Sequence, residues 1–200
     1  MSITDILWTP EPWLPYLVTE FIRQIICPVS VFEWGSGGST VMFLRMKLAR
    51  LVSVEHDPAW YERIQGELSR RSLKHPDYRL IPYEDGEIAP DKGNPAHYKS
   101  GSTELGPVNF RAYASAIDDQ PPFDLVLVDG MARASCLAHA VGKVKPGGYL
   151  VLDNTGDRPY YLEQTRHLFE GWETVVIDGH GPILDYPWQT TILRNVPWRT

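Results

Sequence analysis

Hydrophobic and polar positions change period along the chain, and those changes outline a series of alternating elements. Leu14, Leu17, Val18, Phe21, Ile22 and Ile25 recur at helical spacing, with Pro12 and Pro15 confined to the start. A helical N-terminal segment, 1–28, is therefore expected to lead into a β-branched and aromatic strand over 29–33. Val41, Leu44 and Leu48 mark a second helix, and Leu51 to Glu55 a second strand. Asp57-Pro58 is a suitable N-cap and first-turn pair for a helix carrying Trp60, Ile64 and Leu68. A third strand is expected over 78–82 and a short helix over 110–117. The run FDLVLVD, 123–129, suits a strand buried on both faces. Leu137, Ala140, Val141 and Val144 follow as a helix stopped by Pro146-Gly147-Gly148. YLVLD, 149–153, is the fifth strand, and Asp157 and Pro159 open a helix reaching Phe169. Two last strands, 174–177 and 190–193, flank a loop.

Strands alternating with helices imply a parallel sheet covered on both faces. The last two strands have no helix between them and are expected to pair antiparallel. Two hundred residues suit one domain spanning 1–200. One stretch breaks the rhythm: 84–107 holds Gly86, Pro90, Gly93, Asn94, Pro95, Gly101, Gly106 and Pro107, the composition of a lid or flexible insertion.

Composition narrows the classes. A net charge of −6 leaves no overall basic footprint, so no nucleic-acid partner is expected. No apolar run is long enough to span a bilayer, and the acidic, proline-bearing start does not resemble a secretory signal. With only Cys27 and Cys136, neither a disulfide framework nor a cysteine-rich zinc site can form. A cytoplasmic protein without a membrane partner is expected. Oligomeric state is not legible.

The most informative stretch is VFEWGSGGST, 31–40. A strand ending in Glu33 meets the turn Gly35-Ser36-Gly37, and Ser39-Thr40 opens the next helix. Glycines permit a sharp turn and close approach of a ligand, and first-turn N–H groups supply donors. Glu55 ends the next strand about 20 residues on, where an acid accepts hydrogen bonds from ribose hydroxyls in nucleotide-binding folds. Together they point to an adenosine-containing cofactor.

Glu33, Gly35, Gly37, Glu55, FDLVLVDG and KPGGYLVLDN occur in an order that resembles the class I S-adenosylmethionine-dependent methyltransferases over nearly the whole chain. The resemblance implies a Rossmann-like seven-stranded sheet of order 3-2-1-4-5-7-6, the last strand antiparallel, with helices on both faces. It implies that Glu33 and the Gly35, Ser36 and Gly37 backbone hold the methionine moiety of the cofactor, and that Glu55 binds its ribose. His56 would sit against the adenine or be a solvated loop residue, and Asp85 or Glu84 would reach the adenine. Asp129 would stand nearest the chemistry. The acceptor expected is an oxygen of a small molecule, with nitrogen as the alternative. Two rivals remain: a non-catalytic binding module on the same fold, and an NAD-dependent oxidoreductase, which Thr40 in the third glycine's place disfavours.

Asp129 closes the fourth strand and Asp153-Asn154 the fifth, and neighbouring strands lie about 4.8 Å apart. Two carboxylates and an amide are hard ligands suited to Mg²⁺, and the trio resembles the metal ligands of catechol O-methyltransferase-like enzymes. The lysine base of those enzymes falls at Ala132 here, and Arg133 cannot replace it because a guanidinium stays protonated. In the competing reading Asp129 faces the cofactor or acceptor while Asp153 and Asn154 cap the next loop. The tail loop, 179–189, is expected to overhang the same crevice, with Tyr186 and Trp188 as flat surfaces and His180 as a candidate base. His75, His97, His139 and His167 show no metal-ligand spacing, and Ser135 and Cys136 lie inside a helical pattern.

Overall fold

The computed structural model describes residues 11–25, 29–86, 91–99 and 107–196. Helix α1 (Tyr16–Gln24) precedes β1 (Ser30–Trp34), α2 (Gly38–Arg45), β2 (Arg50–Glu55), α3 (Pro58–Arg70) and β3 (Tyr78–Leu80). A short ribbon, β4 (Glu84–Asp85) with β5 (Val108–Asn109), leads to α4 (Arg111–Ala114). Then come β6 (Phe123–Val128), α5 (Arg133–Ala140), β7 (Val144–Asp153), α6 (Tyr160–Glu163), β8 (Glu173–Gly179) and β9 (Trp188–Arg194).

Seven strands form one sheet in the order β3-β2-β1-β6-β7-β9-β8. The pairings β3-β2-β1-β6-β7 are parallel, whereas β9 runs antiparallel to both β7 and β8. This is the expected order, and the missing helix before the last strand is what reverses it. Side-chain alternation divides the core into two layers. Val31, Leu125, Leu127, Val151 and Ile192 pack with Leu14, Val18 and Ile22 of the N-terminal region and with Met42 and Phe43 of α2. Phe32, Trp34, Val52, Val54, Val126, Val128, Leu150 and Leu152 face Tyr113, Leu137 and Tyr161 on the other side. Helix α3 begins as its sequence requires: Asp57 accepts from the N–H groups of Ala59 and Trp60, with Pro58 in the first turn.

Four expectations need adjustment. Val144, expected in the helix before the fifth strand, instead opens β7, which runs on through Pro146-Gly147-Gly148, and α5 ends at Ala140. β3 stops at Leu80, before Pro82, which has no N–H for a ladder. The helix expected to reach Phe169 is instead α6 followed by a 3₁₀ turn, Arg166–Phe169. Much of the expected lid (87–90 and 100–106) lies outside the described residues, as do Cys27 and the first ten residues of the N-terminal segment. Among the described residues no helix is long and apolar enough to cross a membrane.

Candidate active site

The carboxyl ends of β1, β2 and β6 converge on the glycine turn. The Gly35 N–H donates to the Val54 carbonyl (3.0 Å) and the Asp129 N–H to the Trp34 carbonyl (3.0 Å). Gly35 has a left-handed backbone (φ 89°), and a Cβ there would lie 2.9 Å from the Asp129 carbonyl. Only glycine fits both constraints. Gly130 meets a second limit, because a Cβ there would fall 2.0 Å from the Tyr113 hydroxyl.

Above this junction lies a cavity of about 310 Å³. Gly35 to Ser39, Glu55, His56, Asp57, Asp129, Gly130 and Met131 line it, and Trp13 and Trp60 close one side with ring centroids 5.7 Å apart. Trp60 is fixed by donating from its indole to the Ser36 carbonyl (2.7 Å). Residues 11–16 cross the sheet's carboxyl edge as a strap. The Glu11 carbonyl would be 1.9 Å from a Cβ on Gly38, the Leu14 carbonyl faces Gly181, and the Tyr16 N–H donates to the His180 carbonyl (2.8 Å).

Glu55 is almost fully buried at the cavity wall. One oxygen accepts from the Ser36 N–H (3.1 Å) and hydroxyl (2.9 Å); the other accepts from the His56 and Asp57 N–H groups (2.8 and 2.9 Å). The His56 ring Nδ1 is 2.8 Å from that second oxygen. Burial alone would raise its pKa, but these donors outweigh it and hold Glu55 below the usual carboxylate range. His56 also packs edge-on against Phe110 and Tyr113, so it belongs to the wall.

Glu33 sits beneath the cavity rather than in it. It is fully buried and accepts hydroxyl hydrogen bonds from Ser39, Thr40 (2.8 Å) and Ser53 (2.6 Å). Burial outweighs these donors and raises its pKa to about 7. Thr40 in turn accepts from the Gly37 N–H (2.9 Å), so Glu33 shapes the turn from below.

Asp129 reaches the cavity; Asp153 and Asn154 do not line it. Asp153 is 2% exposed, and its carboxylate accepts from the Trp188 indole (3.1 Å) and the Thr190 hydroxyl. Asn154 follows with a left-handed backbone (φ 57°). Arg133 donates from one guanidinium nitrogen to an Asp129 carboxylate oxygen (3.0 Å) and from another to the Asp153 carbonyl. One carboxylate oxygen each of Asp129 and Asp153 is thus taken by donors, and Asp153 and Asn154 do not open on the cavity, so the set does not fit a divalent ion. Among the described residues no three His, Cys, Asp or Glu side chains could share one. Burial first, then the neighbouring Asp153 carboxylate, raises the Asp129 pKa well above the ordinary value; burial also raises that of Asp153.

Other expected contributors stand elsewhere. Asp85 and Glu84 are exposed on the β4–β5 ribbon and do not line the cavity. His180 is exposed and joins the strap only through its carbonyl, and Trp188, 4% exposed, lies in β9 instead of overhanging the crevice. Trp13, Asp57, Trp60, Gly130 and Met131 join the lining without having been singled out as ligand contacts. For Asp57 and Trp60 a signal existed, since the Asp57-Pro58 helix start directly follows Glu55.

No protein-family model and no curated protein matches this chain. Solved structures do match. A methyltransferase-like protein from Silicibacter pomeroyi shares 20% identity, with 96% of this chain and 93% of that chain covered and a TM-score of 0.56. The O-methyltransferase TomG of Streptomyces achromogenes, solved with SAM (S-adenosylmethionine), matches at 17% identity, covering 85% and 74%, with a TM-score of 0.56. An rRNA methylase from Streptococcus thermophilus matches at 11% identity, covering 91% and 96%, with a TM-score of 0.59. This is the class I methyltransferase fold. At these identities the likeness carries the fold alone. Within the methyltransferase fold the glycine turn, Glu55 and Asp129 share one cavity, as the sequence motifs imply.

Proposed function

We propose that this chain binds S-adenosylmethionine in the glycine-turn cavity and transfers its methyl group to an oxygen of a small-molecule acceptor. The observation that carries the reading is the charge of the wall: among the described residues Glu55 and Asp57 line the cavity, and no lysine or arginine does. Such a wall favours a cation and opposes the pyrophosphate of a dinucleotide, which disfavours the NAD reading. The fold shared with SAM-bound TomG supports the same choice.

The bound cofactor supplies an electrophilic methyl group on a positively charged sulfur. Glu55 accepts hydrogen bonds from the ribose diol, exchanging the Ser36 hydroxyl for a ligand hydroxyl. The N–H groups of the first turn of α2 meet the carboxylate end. Trp13 and Trp60 shield that side from water. Asp129 would hydrogen-bond the acceptor's hydroxyl and orient its oxygen, with the hydroxyl proton passing to water; the bound cofactor would supply the methyl group and leave as a neutral thioether. Holding the two reactants in line supplies much of the acceleration. The reaction so drawn uses no metal ion, and a cytoplasmic setting suits a soluble acceptor.

Calorimetry with S-adenosylhomocysteine tests the binding step. Micromolar affinity, about −8 kcal/mol, is expected; absence of both heat and thermal stabilisation sinks the reading. Methyl transfer to a panel of phenols, amines and carboxylates tests the acceptor. Transfer to amines alone overturns the oxygen assignment, and cofactor binding without transfer to any of them favours a binding module.

A further inference from the structure

The turn after β6 carries two features that work against local stability. Ala132 adopts a left-handed backbone (φ 47°), a conformation a Cβ disfavours. Arg133 then occupies the first position of α5, the positive end of the helix, and is only 5% exposed. A charged residue at that end is retained against both costs when it satisfies a larger demand, and here the demand is visible. Its Nε donates to the Gly130 carbonyl (2.9 Å), and Nη2 to the Asp129 carbonyl (3.2 Å) and carboxylate (3.0 Å). Nη1 donates to the Asp153 carbonyl. One planar fork therefore ties the ends of β6 and β7 together and places a positive charge beside the half-buried Asp129 carboxylate and the buried Asp153 carboxylate. A hard divalent ion would need carboxylate oxygens with free lone pairs at about 2.1 Å, but one Asp129 oxygen already accepts from the guanidinium and one Asp153 oxygen from the Trp188 indole and Thr190 hydroxyl.

We propose that Arg133 is the resident cation of this strand-end site: it occupies the place a divalent ion would take beside Asp129 and Asp153, and holds Asp129 towards the cavity. Methyl transfer then proceeds without divalent metal. That last clause rests on the proposed methyltransferase activity; the occupancy of the site by Arg133 does not. Arg133 is a positioning residue, acting on ligand only through Asp129.

The test is a Mn²⁺ titration of the full chain, with free ion read by electron paramagnetic resonance. Wild-type protein should leave the signal unchanged up to ~0.1 mM ion, whereas Arg133→Ala, which frees the Asp129 carboxylate and removes the cation beside Asp153, should take up about one equivalent. The Tm of Arg133→Ala should rise with Mn²⁺ and also with methylguanidinium, a readout that a merely structural loss would not move. Arg133→Lys, retaining a cation, should take up no Mn²⁺. Wild-type uptake that Asp129→Asn abolishes overturns the proposal, as does a folded Arg133→Ala indifferent to both cations. If Arg133→Ala does not fold, the wild-type and Arg133→Lys titrations decide in the same terms. With an acceptor in hand, excess EDTA should leave turnover unchanged, and its loss overturns the proposal. A protein with no methyl transfer at all refutes the proposed activity while the Mn²⁺ result stands separately.

Discussion

Replacing Glu33 by glutamine should change how stability depends on pH, by an amount that follows from the burial of one carboxyl group. Glu33 is wholly buried under the glycine turn, and its pKa rises from an ordinary 4.5 to about 7. In the unfolded chain the group releases its proton near 4.5; in the native state it keeps it until about 7. Between those values the native state binds more protons, so stability falls as pH rises, at ~1.36 kcal/mol per pH unit for one group. Across the whole window the loss is about 3 kcal/mol, and above it the contribution is constant. Glu33→Gln removes the titration. Its amide offers one accepting oxygen to the hydroxyls of Ser39, Thr40 and Ser53, a mismatch that costs stability equally at every pH. The decisive quantity is therefore the difference between two conditions. In urea unfolding near pH 5 and near pH 8, wild type should lose about 2–3 kcal/mol more than the variant on going to the higher pH. An identical pH dependence in both proteins would refute the argument, and would mean that the three hydroxyls keep Glu33 ionised at an ordinary pKa.

Glu55→Gln should weaken S-adenosylhomocysteine binding by roughly 1.5–3 kcal/mol, the range for a hydrogen bond to a charged group; unchanged calorimetric affinity would remove Glu55 from the ligand site. Gly35→Ala should lower unfolding stability by about 1–3 kcal/mol, since it adds a Cβ to a left-handed residue against the Asp129 backbone; an unchanged denaturation midpoint would contradict the packing described. Trp188→Ala should cost about 3–5 kcal/mol of stability while leaving cofactor affinity intact, and a selective loss of affinity would restore Trp188 to the binding surface.

The central strands were readable because both of their faces are buried, so they appear as apolar runs with turn residues between them. Its antiparallel edge was readable because no helix separates the last two strands. Glu33 is more instructive. It lies between Phe32 and Trp34 in β1, both on the face towards Tyr113, so alternation sends Glu33 to the opposite face. There the register sets it beside Ser53. The motif marked an acid at the turn, but the hydroxyls at positions 39, 40 and 53 were the sign that it would be held from below. Trp188 was assigned to a loop because the aromatic and polar residues before Thr190 show no strand alternation. Pairing of Gly179 with Trp188 extends the hairpin and brings the indole to Asp153. Arg133 and Trp13 were beyond sequence reasoning: each owes its position to contacts with distant segments.

The strap over residues 11–16 bears on how the protein is made. It touches Gly38, close by in sequence, and His180 and Gly181, far along it. These last contacts require the turn between β8 and β9, which leaves the ribosome only after β1 to β8 have emerged. Contacts so distant in sequence form late because loop closure must precede them. A nascent chain can therefore assemble its central strands and glycine turn while Trp13 still lacks its final seat, and one wall of the cavity is finished only when the strap meets the turn after β8.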